Sequence, residues 1–435
     1  MTSAYASPAA VRPAPVASGD RLRIAVWHNL PSGGAKRALH QHVRGLVARG
    51  HAVESWTLET ADPSYLPLRD LVSEHVVPFA DDAASGATRW QQLVGLLGTG
   101  ERVRRMNAAC ARCAREMHAR GVDVVFAASC RTFLVPFIGL HTRVPAVAYI
   151  QEPSRGLYEA GLGQTLPWVA RPASDGLSAR VSRNFARVML ARRALEEWRA
   201  VHAFDRVLVN SRFSRESFLR AYGVDTRVCY LGVDAGLFTA AAPAAPREYF
   251  VVGLGSFNPL KGIDLAIRAL ALVPKPRPAL VWIGNAADQP YLAALTQLAA
   301  SLGVTFLPRL RIADAEVVEL LGRATAMLYT SHLEPFGFAP LEANACHTPV
   351  VAVAEGGVRE TVVDGVNGYL ADDRDPATLA AALGRLLADP VAARAMGRRG
   401  CELVEARWPV EQSVACVERH LLAAANAGVA GSGRA

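Results

Sequence analysis

Short apolar runs alternate with amphipathic segments along this chain, and the alternation occurs in two successive series. Residues 21–27 read as a strand, 28–34 (HNLPSGG) as a loop, 35–48 as an amphipathic helix closed by Gly50, and 52–58 as the next strand. Further strands are predicted at 75–77, 122–126, 145–150 and 206–209, with helices between them, including one over 179–200. Asn210-Ser211-Arg212-Phe213 opens another helix. A second series begins at Tyr249, with strands at 280–283, 304–307, 326–330 and 350–353. From Ala377 onward the pattern is helical, with one break at Trp408-Pro409. The stretch AAAPAAP at 240–246 reads as a linker. The expected organisation is therefore a tail at 1–20, an α/β domain at 21–240, a second at 247–408, and a C-terminal helix at 409–428. The loop after the first strand is not G-x-G-x-x-G, which argues against a dinucleotide cofactor.

Composition narrows the class. The chain has 435 residues, 51% of them hydrophobic and 20% charged, which fits a soluble two-domain protein with sizeable cores. Its formal charge of +8 suits an anionic ligand, a nucleic acid or an acidic membrane surface, and selects none of them. Seven dispersed cysteines fit a reducing cytoplasm better than a disulfide framework. Cys110 and Cys113 form a lone C-x-x-C in an arginine-alanine stretch and read as buried small residues. No apolar run approaches the about 18 residues of a membrane span, and residues 1–20 lack the compact apolar segment of a signal peptide. They read as a disordered tail. Arginines cluster at 102, 104, 105, 112 and 115, and again at 180, 183, 187, 192, 193 and 199. Solvated helix faces are the plain reading, and a membrane-facing role the minority one.

The most informative stretch runs from His332 to Leu370. Glu334 and Glu342 stand eight positions apart, and Pro335 and Gly337 between them break any single helix. Strand, loop and helix is the better parse, with Pro340 at the first helical position and Glu342 in the first turn. The N-terminus of such a helix attracts an anion. Two carboxylates beside an anion site suit a ligand with both phosphate and hydroxyl groups, such as a nucleotide sugar. Alone, Glu342 could simply cap its own helix, and Glu334 could be a solvated loop residue.

The whole run, with Gly356-Gly357 and Glu360 following at their spacing, resembles the donor-site signature of the retaining glycosyltransferases of family 4. A weaker similarity extends over nearly the whole chain. The resemblance implies a GT-B fold: two Rossmann-like domains facing across a cleft, with the C-terminal helix crossing back to the first domain. It implies that Glu334 bonds a sugar hydroxyl, Glu342 the ribose hydroxyls, and that Phe336, Gly337, Phe338 and Ala339 line the sugar and phosphate. Lys261 would hold the diphosphate, and Gly33-Gly34 would face the donor. The sequence departs from the family at three places. Ser256 stands where the family commonly has a diphosphate-binding arginine, so Arg309 or Arg311 is a candidate substitute. Gln151 stands where many members have histidine, and His347 where they usually have glycine. Gln151, Glu152 and Arg155, after a predicted strand, are candidate donor or acceptor contacts; a structural salt bridge is the plainer role for Glu152 and Arg155.

The implied reaction is transfer of a hexose from a nucleoside diphosphate sugar, UDP- or GDP-linked, to an acceptor hydroxyl with retention. The acceptor would be a glycan, a lipid-linked sugar or a small molecule. No cofactor, metal or nucleic-acid partner is expected. The one Asp-x-Asp, Asp373-Arg374-Asp375, reads as a polar turn and helix start. The expected location is cytoplasmic, with peripheral contact at an anionic membrane face as an option. A binding-only homologue and a nucleotide-sugar epimerase of the same fold are the alternative readings.

Overall fold

The computed structural model describes residues 21–79, 89–159, 177–238 and 247–432. The expected tail at 1–20 and linker at 240–246 lie outside the described residues. The chain divides into two compact units. The first holds residues 18–230 and, from Cys416, the end of the chain; the second holds 231–415.

In the first unit the order is β1 (Arg23–Asn29), α1 (Gly34–Ala48), β2 (Ala52–Leu58), β3 (Ser73–Val77), α2 (Arg89–Ala119), β4 (Val124–Cys130) and β5 (Ala146–Tyr149). Then come α3 (Arg155–Tyr158), α4 (Leu177–His202), β6 (Arg206–Val209), α5 (Arg212–Tyr222) and β7 (Arg227–Val228). The strands form one parallel sheet in the order β3-β2-β1-β4-β5-β6-β7. Crossover helices connect parallel strands, so the sheet is covered and its strands read as nearly continuous apolar runs. β4 shows this: all seven of its residues are buried. Trp27, Trp56, Met106 and Phe137 fill the core against α2. Cys110 and Cys113 belong to that core, as the sequence suggested.

The second unit runs α6 (Ala235–Phe238), β8 (Glu248–Leu254), α7 (Ile263–Leu272), β9 (Ala279–Gly284), α8 (Gln289–Ser301), β10 (Phe306–Leu310) and α9 (Asp314–Arg323). It continues through β11 (Ala324–Tyr329), α10 (Phe338–Ala345), β12 (Val350–Val353), α11 (Val358–Thr361), β13 (Gly368–Ala371), α12 (Pro376–Ala388) and α13 (Pro390–Arg407). Its parallel sheet has the order β10-β9-β8-β11-β12-β13. In both sheets the chain starts at the centre, winds outward and then reverses. The reversal falls between β1 and β4, and again between β8 and β11. Ligands of open α/β sheets bind outside the strand ends at that reversal.

Four features differ from the sequence reading. The two-residue β7 and the four-residue β13 were not expected. The helical C-terminal region breaks twice, because Asp389 caps α13 through Val391 and Ala392, with Pro390 at its first position, before the break at Trp408-Pro409. The last helix, α14 (Val410–Ser432), runs beyond the expected end at 428. The chain passes between units after Tyr230 and again at Cys416, rather than at 240 and 409.

From Cys416 onward, α14 groups with the first unit. Glu418, 5% exposed, accepts from Arg49 Nη1 at 2.7 Å and lies 2.9 Å from His51 Nε2. The other ring nitrogen of His51 accepts the Leu22 N–H at 3.1 Å. One buried carboxylate thus ties the helix to the end of α1 and, through His51, to the segment that leads into β1.

Candidate functional site

The loops that follow β8 and β11 carry the chemistry. After β8, Asn258 caps a short turn at Pro259–Lys261, and Gly262 leaves it in the left-handed conformation at φ 61°. Lys261 folds back over Gly255, where an added Cβ would come 3.1 Å from its side chain. The Thr330 hydroxyl donates to the Lys261 carbonyl at 3.0 Å, and the His332 N–H to the Leu260 carbonyl at 2.8 Å. The two loops are thereby pinned together at the sheet's reversal. Lys261 Nζ then reaches Glu334 at 2.7 Å, with both side chains about one-fifth exposed. A pair this accessible contributes little stability, about 0–1 kcal/mol. Its interest is that a cation and a carboxylate meet at an open edge.

The Glu334 loop is held from behind by the second glycine loop. Gly357 N–H donates to the Glu334 carbonyl at 2.8 Å. A Cβ on Gly357 would stand 2.1 Å from the Pro335 carbonyl oxygen, and one on Gly356 (φ 59°) 2.3 Å from that of Glu334. This close approach explains the glycine pair.

Gly337, at φ 91°, is the cap of α10, which starts at Phe338. Pro340 is therefore the third helical residue and not the first, and Glu342 is the fifth, just beyond the first turn. The first four N–H groups of a helix lack internal partners, so a proline at the third position still removes no helical bond. With the proline carrying no N–H and the Leu341 N–H making the first helical bond, the Phe338 and Ala339 N–H groups are left as donors of that end. Glu342 sits too far along to form a capping box, which needs the third position. It is 5% exposed. Phe336 is buried, with its ring 5.5 Å from that of Trp408.

Sequence reasoning missed Tyr329. Burial holds its hydroxyl well above the usual tyrosine range, and the Glu334 carboxylate, to which it donates, raises it further, as does Glu342. One phenol thus bonds Glu334 and also feels the charge of Glu342. The available signal was its place as the last residue of a strand, where such folds put ligands.

Also missed was Glu355, which accepts from His332 Nδ1 at 2.9 Å, from the Leu333 N–H at 3.3 Å and from Arg374 Nη1 at 3.4 Å. Arg374 Nη2 lies 2.7 Å from where a Cβ on Gly262 would stand. A second cation therefore flanks the Lys261 loop, although Ser256 supplies none; Ser256 only accepts from the Asn258 amide at 3.1 Å.

Arg309 does not join this cluster. It lines a groove of 550 Å³ with Glu316, Glu319 and Arg323, none of which belongs to the loops above. Arg311 turns to the Asn285 carbonyl at 3.3 Å. Asp373 accepts from the Asp375 N–H at 3.3 Å, and Asp375 precedes Pro376 at the start of α12, which is a turn and helix start. His347 ends α10 in the left-handed region at φ 60°, and Arg247 donates to its carbonyl.

In the first unit, Gly33 (φ 139°) caps α1 and Gly34 is its first residue, with nothing within 4 Å of an added Cβ. Gln151 lines a small cavity of 10 Å³ with His42, Ser129 and Tyr149, and its carbonyl accepts from Ser214 at 2.6 Å. Arg155 pairs with Glu159 at 2.8 Å and stands 3.9 Å from Glu152, which is the local salt-bridge arrangement.

With this geometry in hand, two family descriptions match in tandem. Residues 32–237 match "Glycosyltransferase Family 4" and residues 239–402 match "Glycosyl transferases group 1". The chain belongs to this family. D-inositol 3-phosphate glycosyltransferase of Geodermatophilus obscurus is 38% identical over 219 residues, 45% of this chain and 48% of the relative. The enzyme of the same name from Frankia alni is 35% identical over 234 residues, 47% of this chain and 57% of the relative. The aligned part thus spans about half the length of these curated relatives. Among solved structures, Anabaena HepE in complex with UDP and glucose superposes with a TM-score of 0.66 at 23% identity, covering 92% of this chain and 99% of that one. Sucrose-phosphate synthase of Thermosynechococcus elongatus gives 0.67 at 22% identity, covering 92% and 100%. These likenesses establish the GT-B fold for the family member described here.

Proposed function

We propose that this glycosyltransferase family member moves a hexose from a UDP- or GDP-linked donor to an acceptor hydroxyl, with retention at the anomeric carbon. The observation that carries the proposal is the Lys261–Glu334 pair at the sheet reversal, beside the α10 N-terminus. A hexose bonded to a diphosphate offers phosphate oxygens and ring hydroxyls side by side. Lys261 and the N–H groups of Phe338 and Ala339 suit the phosphates, and Glu334 suits a hydroxyl. Glu342, further along α10, suits the ribose.

In the reaction the bond from the anomeric carbon to the diphosphate oxygen breaks. The acceptor oxygen bonds that carbon and its proton is released. Negative charge grows on the leaving diphosphate, and preorganised cations and N–H donors lower the cost of that charge. Lys261 and the helix end supply both without calling on a metal ion. The curated relatives act on an inositol phosphate by name, which makes a phosphorylated polyol one acceptor to test alongside glycans and lipid-linked sugars.

Incubation with UDP- and GDP-hexoses and a panel of these acceptors, with and without chelator, tests the reading. A new glycoside of retained configuration, formed equally with chelator, is the expected product. Donor binding with neither transfer nor hydrolysis would leave a binding-only homologue. A changed donor sugar without acceptor would indicate an epimerase.

The setting of the acceptor has one structural pointer. No helix among the described residues is long and apolar enough to cross a membrane. On α4, however, Val188, Leu195 and Trp198 are exposed at helical spacing, and Arg192 and Arg199 lie on the same face. Apolar anchors flanked by arginine suit peripheral contact with an anionic membrane from a cytoplasmic side. Salt-sensitive co-sedimentation with anionic but not neutral vesicles is expected. Binding to neither would favour a soluble acceptor.

A further inference from the structure

The turn between β13 and α12 sends its middle residue back to the loop that carries Lys261. Asp373 accepts from the Asp375 N–H at 3.3 Å, and Pro376 follows as the first residue of α12, so the backbone at Arg374 is held on its C-terminal side. Gly262, directly after Lys261, lies against the Arg374 guanidinium. A Cβ there would come 2.7 Å from Arg374 Nη2 and 2.4 Å from the Thr330 carbonyl oxygen. The Arg374 side chain is 19% exposed. A guanidinium has five N–H donors. Among the described residues one of them is engaged, on Glu355 Oε2 at 3.4 Å. That oxygen already accepts from His332 Nδ1 at 2.9 Å and from the Leu333 N–H at 3.3 Å, so Arg374 is its third and longest donor. A cation this covered, held by one long bond, is poorly compensated.

We propose that Arg374 is a second phosphate-binding cation of the donor site, and that it and Lys261 each take one phosphate of the donor's diphosphate. The inference rests on the reading of these loops as the donor site. Both residues stand beyond the C-terminal ends of strands in one parallel sheet, Lys261 after β8 and Arg374 after β13, where open α/β sheets take ligands. Each leans on a carboxylate, Lys261 on Glu334 at 2.7 Å and Arg374 on Glu355 at 3.4 Å. The weaker of the two contacts belongs to the cation with more donors to satisfy.

A diphosphate joined to ribose at one end and to a sugar at the other carries one negative charge on each phosphate, so two cations match it. The two side chains differ in what they offer. The ammonium is a point charge, whereas the planar guanidinium grips two oxygens of one phosphate side by side. As the bond to the sugar breaks, further negative charge grows on the diphosphate. Cations already in place stabilise it without reorganising. Glycine at 262 leaves room for the guanidinium against the loop, which a side chain there would take.

The test is titration calorimetry of UDP, GDP and inorganic pyrophosphate against the full chain. Arg374→Ala should lose roughly ten- to a hundredfold in affinity for the nucleoside diphosphate that wild type prefers, and the loss should shrink as salt is raised. Arg374→Lys keeps the charge without the fork and should recover only part of the affinity; it also serves where the alanine variant folds poorly. Arg374→Ala combined with Lys261→Ala should lose close to the product of the two single factors, as separate contacts do. A double variant no weaker than Lys261→Ala would make Arg374 a brace for the lysine loop and overturn the proposal. Wild-type affinity in Arg374→Ala, beside a weakened Lys261→Ala, would overturn it and leave the donor site standing. No binding of any of the three probes by wild type would overturn both.

Discussion

The two sheets are wound alike, yet the equivalent loops at their reversals are built differently. In the second unit the loop after β8 carries Lys261 outward to Glu334, and the loop after β11 is braced by Gly356-Gly357. In the first unit the loop after β1 leads through Gly33-Gly34 to Lys36, which is 1% exposed. Burial lowers the Lys36 ammonium, and Glu74 and Asp62 only partly offset that. His28, on β1 itself, is also fully buried and held down to about 4. One reversal thus presents its charge at an accessible edge, and the other takes its charge into the interior. The fold alone does not decide where a ligand binds; the side chains at its reversal do.

The contrast predicts different responses to acid. Burial holds His28 and His42, both in the first unit, down to about 4 against an ordinary 6.5. Neither described histidine of the second unit is buried. The unfolded chain takes up protons below pH 6.5 that these folded histidines refuse until about pH 4. Stability is therefore present above pH 6.5 and falls as the pH drops through that window, by about 3 kcal/mol per histidine at its foot. Hydrogen exchange read by unit between pH 7 and 4.5 should show the first unit opening before the second. Uniform loss of protection would break the contrast. His42→Phe should flatten the dependence.

The glycines give a second, smaller test. Gly357→Ala must move backbone that a Cβ would overlap at 2.1 Å, and should destabilise by about 3 kcal/mol. Gly34→Ala has open space and a helical start, and should be neutral or stabilising by up to about 1 kcal/mol. Thermal unfolding of both variants checks this. Equal effects would mean that the two loops are not as differently braced as their contacts indicate.

Much of this was legible in the sequence, for identifiable reasons. The βα alternation is a strong periodic signal, and strands such as Arg206–Val209 and Val350–Val353 were placed to the residue. β13 was not, because GYLA is short and opens on glycine. The break at Asp389 is legible as an aspartate before a proline, although the helical periodicity on either side masks it. At the site, the motif spacing showed which residues to consider, but not their partners. That Tyr329 bonds Glu334, that Arg374 reaches Gly262, and that Arg309 lines another groove all depend on how strands lie beside each other. Linear spacing carries no such information. Glu342 lies two helical positions later than expected because the cap is Gly337, so that the helix starts at Phe338 rather than at Pro340.

The central claim is that the second unit's loops bind the nucleotide of the donor. Titration calorimetry of UDP and of GDP against wild type, Lys261→Ala and Glu342→Gln tests it most directly. Charge-assisted bonds are worth about 1.5–3 kcal/mol each, so each variant should lose roughly ten- to a hundredfold in affinity for the nucleotide that wild type prefers. Glu334→Gln should keep nucleotide affinity and lose transfer. Thermal unfolding without ligand should stay close to wild type for Lys261→Ala, whose pair is only partly buried. Wild-type affinity in both Lys261→Ala and Glu342→Gln, or no binding of either nucleotide by wild type, would contradict the account.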